Sequence, residues 1–324
     1  MRVAVLYNGR PAQRDERLPD DTFEEFDGPE TLAAVVGALA PLGIVAEPVL
    51  ADRRLPFRLE EGRYDAAFNL AEGEGRRCRE AVPAAVCELL GLPYTGSDPL
   101  TLAVTLDKAV ARRLVSPEVQ VAAGRVVAQP GDLDGLRFPV IVKPNDEGSS
   151  KGIRGGPLAY GPDEAMERVR WLTDTYSCPV LVEEFLPGVE LTVGLTGDMA
   201  DPRALGVMEI GPVDPSARPF VYSLEVKRDY LRQVRYHVPA RISEAAMAEV
   251  LRLARLAWRL LGCRDLSRMD FRLDAEGAPR FIECNPLPGL NPVSSDIVLM
   301  TRDTLPYAHL VQGVFQAAQR RWGR

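Results

Sequence analysis

Long apolar runs are missing from this chain. No stretch of about 18 apolar residues occurs, which excludes a helix that crosses a membrane. The first seven residues are a short strand-like run followed by polar sequence, too short for a secretory leader. Histidine is scarce: the chain has 2, His237 and His309, so a multi-histidine metal centre is excluded. The 5 cysteines, Cys78, Cys87, Cys178, Cys263 and Cys284, lack metal spacing. An odd, scattered set is what free thiols in a reducing cytoplasm look like. Positive charge is not in excess, because the net charge is -7. A broad nucleic-acid footprint is therefore not expected, and any anion site must be a local basic cluster. No Gly-x-Gly-x-x-Gly follows the first strand candidate, and no Walker A loop is present. Internal repeats and low-complexity tracts are absent too.

What is present is an ordinary globular composition over 324 residues, enough for two or three domains. Strand and helix candidates alternate through residues 1–98. Residues 3–6 and 64–70 have the character of buried strands, and 29–42 and 81–90 that of helices. Gly91 closes the second helix, and 92–96 forms a short strand and turn. Such alternation favours a parallel sheet covered by helices. A helix opens at Leu106-Asp107-Lys108, and a strand pair is expected near 119–127. Residues 163–173 are helical, and 180–186 form a strand. Residues 191–196 and 204–210 make a hairpin around Gly197-Asp198. Ser243 caps a helix that runs to Leu261, and a closing helix is expected over 303–320.

Residues 263–295 hold the densest chemistry. Two short runs, 268–273 and 280–285, flank a turn at 274–279, a hairpin pattern. If Leu273 pairs with Arg280, Asp270 faces Glu283 and Arg268 faces Asn285. Opposed residues share a face, and so do residues two apart. All four side chains then converge on one surface. Opposed carboxylates repel, and a hard divalent cation removes that cost, since carboxylate and amide oxygens suit Mg²⁺. The alternative is a surface hairpin with a solvated charged face.

Residues 138–144 form a buried strand ending in Lys143. The next eight residues, 145–152, are Asn-Asp-Glu-Gly-Ser-Ser-Lys-Gly. Small residues let backbone amides approach an anion, and hydroxyls add donors. The alternatives are a plain turn and, for Lys143, a lysine reaching from a sheet edge to solvent. Residues 212–235 are irregular and contain Tyr222, Lys227, Arg228, Tyr230, Arg232 and Arg235. A loop of that length is either functional or a solvated excursion.

Taken together, residues 92–97, 106–108, 140–152, 182–190 and 268–295 resemble the ATP-grasp superfamily, and within it the D-alanine–D-alanine ligase family. The order and spacing match from about residue 69 onward. The resemblance implies an α/β (α+β) fold with ATP between two antiparallel sheets. Its three lobes would be a Rossmann-like domain over 1–98, a central lobe over 99–186 and a C-terminal lobe over 187–324. It further implies that Lys108 and Lys143 hold nucleotide phosphates. Glu183 and Leu186 would meet the adenine edge, and Glu190 the ribose. Residues 147–152, with Glu147, Gly148, Ser149 and Ser150, would close over the phosphates. Asp270, Glu283 and Asn285 would hold two Mg²⁺, or Mn²⁺ in their place. Arg268 would steady an acyl phosphate and the tetrahedral intermediate. Gly289 and Ser294 would form the oxyanion and second-carboxylate region, and Lys227 would belong to a mobile covering loop. The implied activity is ATP-dependent joining of a carboxylate to an amine, with small-molecule substrates, in a cytoplasmic enzyme for which a homodimer is one assembly. A phosphotransferase and a non-catalytic ATP-binding module are the alternatives.

The departures fall in the substrate half. The family's early Gly-Gly turn and Glu-Val-Ser stretch are replaced by Asn8-Gly9-Arg10-Pro11 and an acidic segment to Asp27. Its His-Gly segment is replaced by residues 69–77. Glu72, Glu74 and Glu80 are candidate replacements for the family's ammonium-binding carboxylate. Arg76, Arg77, Arg79 and Arg228 add positive charge, and a guanidinium prefers a planar anion. The expectation is therefore a peptide-like bond made from something other than two D-alanines, with an extra acidic group or without the usual ammonium.

Overall fold

The computed structural model describes residues 1–11, 15–75, 77–214, 216 and 219–323. β1 (Arg2–Tyr7) is the middle strand of a parallel three-stranded sheet, between β2 (Val45–Leu50) and β3 (Ala66–Asn69). Its Val3, Ala4, Val5 and Leu6 are fully buried, as a strand covered on both faces must be. The covering helices are α1 (Pro29–Leu39), α2 (Leu55–Gly62) and α3 (Ala81–Leu89). Residues 92–96 do not extend into a full strand; Tyr94 makes one parallel bridge to Ala67.

Two helices follow where one was expected. α4 (Pro99–Leu106) and α5 (Lys108–Val115) meet at Asp107. Asp98 caps the first by accepting from the Thr101 amide, and Asp107 caps the second by accepting from the Val110 amide. Asp107 thus ends one helix and starts the next, which fixes Lys108 in a first turn.

A four-stranded antiparallel sheet has the order β4-β7-β5-β6: β4 (Gly124–Val127), β5 (Val140–Pro144), β6 (Leu158–Ala159) and β7 (Val180–Glu184). α6 (Pro162–Tyr176) covers it through Ala165, Met166, Val169 and Leu172. The strand pair expected at 119–127 reduces to β4, because Val119 joins a helical core cluster and Val121 only bridges Phe281.

The second antiparallel sheet has the order β10-β9-β8-β11-β12. Its strands are β8 (Glu190–Gly197), β9 (Pro202–Pro212), β10 (Val234–His237), β11 (Asp265–Leu273) and β12 (Pro279–Asn285). The supposed loop over 212–235 contains two short helices, α7 (Leu224–Arg228) and α8 (Tyr230–Gln233), and then β10. Ser223 starts the first by accepting from the Val226 amide. α9 (Glu244–Leu261) begins at Ser243 as expected, and Trp258 on it is fully buried against the sheet. α10 (Asp296–Thr301) and α11 (Tyr307–Arg321) close the chain, the latter four residues later than expected because Pro306 precedes its first turn. Asp265 joins the parts: its buried carboxylate accepts from the Gly96 amide at 2.8 Å and from Arg321 at 2.6 Å.

Gly124 lies opposite Glu183 in the β4–β7 pair. A Cβ there would stand 2.8 Å from the Glu183 Cα and 2.7 Å from the Val182 carbonyl oxygen. Gly124→Ala should therefore force the strands apart and cost about 1–3 kcal/mol. Thermal unfolding followed by circular dichroism checks it; a Tm equal to that of the parent would refute the close approach.

Candidate active site

The β11–β12 hairpin differs from the expected register by one residue, and a bulge restores the outcome. Leu273 pairs with Pro279, not Arg280; Arg272 pairs with Arg280 and Phe271 with Phe281. The register then shifts between Asp270 and Phe271, and Ile282 is the extra residue. Beyond it Asp270 faces Glu283, Met269 faces Cys284 and Arg268 faces Asn285. Phe271 and Phe281 pack edge to face on the core side, centroids 5.7 Å apart. Ile282 and Glu283 both turn toward a cleft.

Charge is concentrated on that face. Arg268 donates to both oxygens of Asp270 at 2.9–3.1 Å and to Asp296 at 3.0 Å. Its guanidinium is also 3.8 Å from Glu283. Thr192, opposite Asp270 on β8, donates its hydroxyl at 2.9 Å. Lys108 stands 3.3 Å from Glu283 and also donates to the Glu147 carbonyl. Burial raises both carboxyls, but the balance differs. Asp270 is pushed up to about 6 by burial against the pull of Arg268, with Glu283 adding to the rise. At Glu283 burial is outweighed by Lys108, Lys143 and Arg268, and the carboxyl falls to about 2. Two facing carboxylates are thus tolerated here only inside a ring of cations.

A short way along the cleft, Lys143 is buried on the interior strand β5 with its ammonium 2.5 Å from Glu183. It does not reach from a sheet edge to solvent. Glu183 also pairs with Arg112 of α5. Glu190 faces Arg272 at 3.2 Å, and burial pushes its carboxyl up to about 7 against that pull. Residues 147–152 make a tight loop in which Ser149, Ser150 and Gly152 have φ of 51, 59 and 72°. The loop is held by the acidic N-terminal segment. Glu25 accepts from the Gly148 amide at 2.9 Å and meets Lys151 at 2.5 Å and Arg79 at 3.0 Å. Asp21 accepts from the Gly152 amide at 3.1 Å. Asp20 pairs with Arg154 at 2.7 Å and Arg228 at 2.6 Å.

These contacts overturn one expectation. Arg77, Arg79 and Arg228 do not offer free guanidinium groups to an acidic substrate. Arg77 pairs with Asp107, Arg79 with Glu25 and Glu147, and Arg228 with Asp20 and Glu24. Arg76 lies outside the described residues. Asn8 is structural: it accepts from the Gly73 amide and donates to the Ala51 carbonyl.

Two adjoining cavities collect every residue that the resemblance named for a role. The larger, about 330 Å³, is lined by Asn285, Gly289 and Ser294. The smaller, about 110 Å³, is lined by Lys143, Ser150, Glu183, Leu186, Glu190 and Asp270. Lys108, Glu147, Gly148, Ser149, Lys227, Arg268 and Glu283 line both.

The family profile described as D-ala D-ala ligase C-terminus matches residues 127–316. D-alanine–D-alanine ligase from Paramagnetospirillum magneticum is 35% identical, over 98% of this chain and 98% of that protein. The chain belongs to the D-alanine–D-alanine ligase family. It is an ATP-dependent carboxylate–amine ligase. Two solved structures share its fold. One is D-alanine–D-alanine ligase from Bacillus anthracis complexed with ATP, at a TM-score of 0.74, 18% identity and 99% and 98% coverage of the two chains. The other is the VanG D-Ala:D-Ser ligase from Enterococcus faecalis, at 0.72, 18%, and 98% and 99%.

Several polar groups of the ligase cleft escaped sequence reasoning. Arg112 lies four residues after Lys108, so helical spacing alone put both on one face. Thr192 needed the β8–β11 pairing, which joins distant segments. Asp296 and Glu25 carried no local signal.

Asp270→Asn and Glu283→Gln should each lower turnover about 100-fold or more while leaving a cooperative thermal transition. Wild-type rates at limiting Mg²⁺ in either variant would remove the pair from the chemistry. Glu25→Gln should speed amide hydrogen exchange across 147–152. Unchanged exchange there would mean the acidic segment does not hold the loop.

Proposed function

We propose that this ligase joins two amino-acid substrates through an acyl phosphate. The observation that carries the reading is the shared wall of the two cavities. Lys108, Ser149, Lys227, Arg268 and Glu283 line both. A γ-phosphoryl group bound from one side would there meet a carboxylate bound from the other.

In this reading ATP occupies the cleft between the two antiparallel sheets. Lys108 and Lys143 neutralise its phosphates, and the amides and hydroxyls of Gly148, Ser149 and Ser150 cover them beside Glu147. Glu183 and Leu186 meet the base, and Glu190 the ribose. The first substrate's carboxylate oxygen attacks the γ-phosphorus, the bond to the β-phosphate bridge breaks, and ADP leaves. The second substrate's neutral amine attacks the acyl carbon, and the tetrahedral intermediate collapses with loss of phosphate. Arg268 stays opposite the accumulating negative charge throughout, which is where a fixed cation lowers the barrier most. Gly289 and Ser294 border the oxyanion and the second carboxylate. Lys227, on α7, closes the wall and keeps water from the anhydride.

The donor set fits a hard divalent ion. Asp270, Glu283 and Asn285 offer carboxylate and amide oxygens on one face. No cluster of three or more His, Cys, Asp or Glu among the described residues forms an all-protein cage. That suits Mg²⁺, which takes one or two carboxylates and completes its shell with water and phosphate oxygens. When bound, Mg²⁺ supplies charge neutralisation at the phosphate oxygens.

The division into lobes at 98 and 186 belongs to the same reading, supported by one sheet in each part. A reducing cytoplasm is supported by free cysteines, four of them buried. D-alanyl-D-alanine is not the preferred product in this reading, because residues 8–27 and 69–77 depart from the family pattern.

The test uses a first substrate with an isotopically labelled carboxylate oxygen. The label should appear in released phosphate, and an amide should form in step with ADP. Labelled phosphate without amide, whatever amine is offered, would make the protein a phosphotransferase. Unlabelled phosphate would remove the acyl phosphate.

A further inference from the structure

The larger cavity is also lined by two carboxylates with no task in the reaction above, Glu72 and Glu80. Glu80, the residue before α3, is 7% exposed and faces the cavity. Among the described residues neither accepts a hydrogen bond or forms an ion pair. Their acidic neighbours are already served. Glu25 and Glu147 share Lys151 and Arg79, at 2.5 and 3.0 Å for Glu25 and 2.5 and 3.4 Å for Glu147. Lys108 is directed to Glu283. Asp27 is hydrogen-bonded to Thr31 within the field of Arg10. Burial pushes both remaining carboxyls up against the pull of Arg79 and Lys151, that of Glu80 to about 7, and the Glu80 charge adds to the rise at Glu72. Such a pair is stable as two anions only when a cation enters.

An ordinary amino acid brings one ammonium and one carboxylate, and the carboxylate is committed to the Arg268 side. Its single ammonium would answer to both Glu72 and Glu80. We propose that the carboxylate substrate carries a second, side-chain ammonium, so that its two ammonium groups together balance Glu72 and Glu80 and the ligase selects a diamino acid over a neutral one. The inference rests on the ligase reading and deepens it. It also replaces the acidic substrate expected from the sequence: Arg77, Arg79 and Arg228, which suggested one, are paired internally, whereas Glu72 and Glu80 have no ion pair among the described residues.

The test compares matched pairs in which a methyl replaces the side-chain ammonium: ornithine against norleucine, and diaminobutyrate against norvaline, in both configurations. ADP release and mass spectrometry of the amide are read together. In the wild type, kcat/KM should favour the cationic member by about tenfold or more. Glu80→Gln and Glu72→Gln should each compress that ratio toward unity. A variant that merely folds poorly would lower both members alike and leave the ratio intact. A wild-type ratio at or below unity overturns the inference even if both variants fail to fold, and so does a ratio unchanged in both soluble variants. Efficient amide formation from the neutral members alone leaves the ligase reading standing and removes this one. No amide from any pair removes both.

Discussion

Asp270 and Glu283 face each other across two antiparallel strands, and much of the surrounding structure answers to that repulsion. Two carboxylates directly opposed in a ladder are destabilising. Here Arg268, Lys108 and Lys143 supply the compensating charge, and each is held by a different element: β11, the first turn of α5, and β5. The pair therefore requires both antiparallel sheets and the helix that precedes them in sequence to meet at one place. The Asp107 cap, the bulge at Ile282 and the buried Asp265 joint all serve that meeting. The arrangement also explains why the titrations split. One carboxyl stays ionised among cations, and the other is lifted by burial.

A second charge layer lies over the first. The acidic stretch around 20–25 reaches from the N-terminal part to the 147–152 loop and to Arg228 beside Lys227. Glu25 meets the Gly148 amide and the Lys151 ammonium, donors of the kind that hold phosphate elsewhere. The segment that departs most from the family pattern is thus built into the cleft. It also pairs with Arg79 and Arg228, while Glu72 and Glu80 in the larger cavity have no ion pair among the described residues.

Legibility in the sequence followed distance along the chain. The β11–β12 hairpin was readable because its two strands are neighbours and its chemistry repeats every second residue. Its bulge was not, since Ile282 is neither glycine nor a turn former. Lys143 and the 147–152 loop were readable as a strand running into small and hydroxylated residues. The roles of Lys227 and Leu186 came only through the resemblance. The pairing of Glu183 with Arg112 and of Glu25 with Lys151 joins segments that no local pattern links. The split of 99–115 into two helices has no signal of its own, because Asp107 both stops one helix and starts the next. The substrate half is least legible: Arg77, Arg79 and Arg228 read as free charge in the sequence, and only their partners show that they are not.

The central claim is that the Asp270–Glu283 face is a site for a hard divalent ion completed by nucleotide phosphates. The most direct measurement is a Mn²⁺ titration followed by electron paramagnetic resonance, with and without a non-hydrolysable ATP analogue. Tight Mn²⁺ binding should appear only with the analogue, and Asp270→Asn should abolish it. Equal binding without nucleotide, or full binding in Asp270→Asn, would contradict the account.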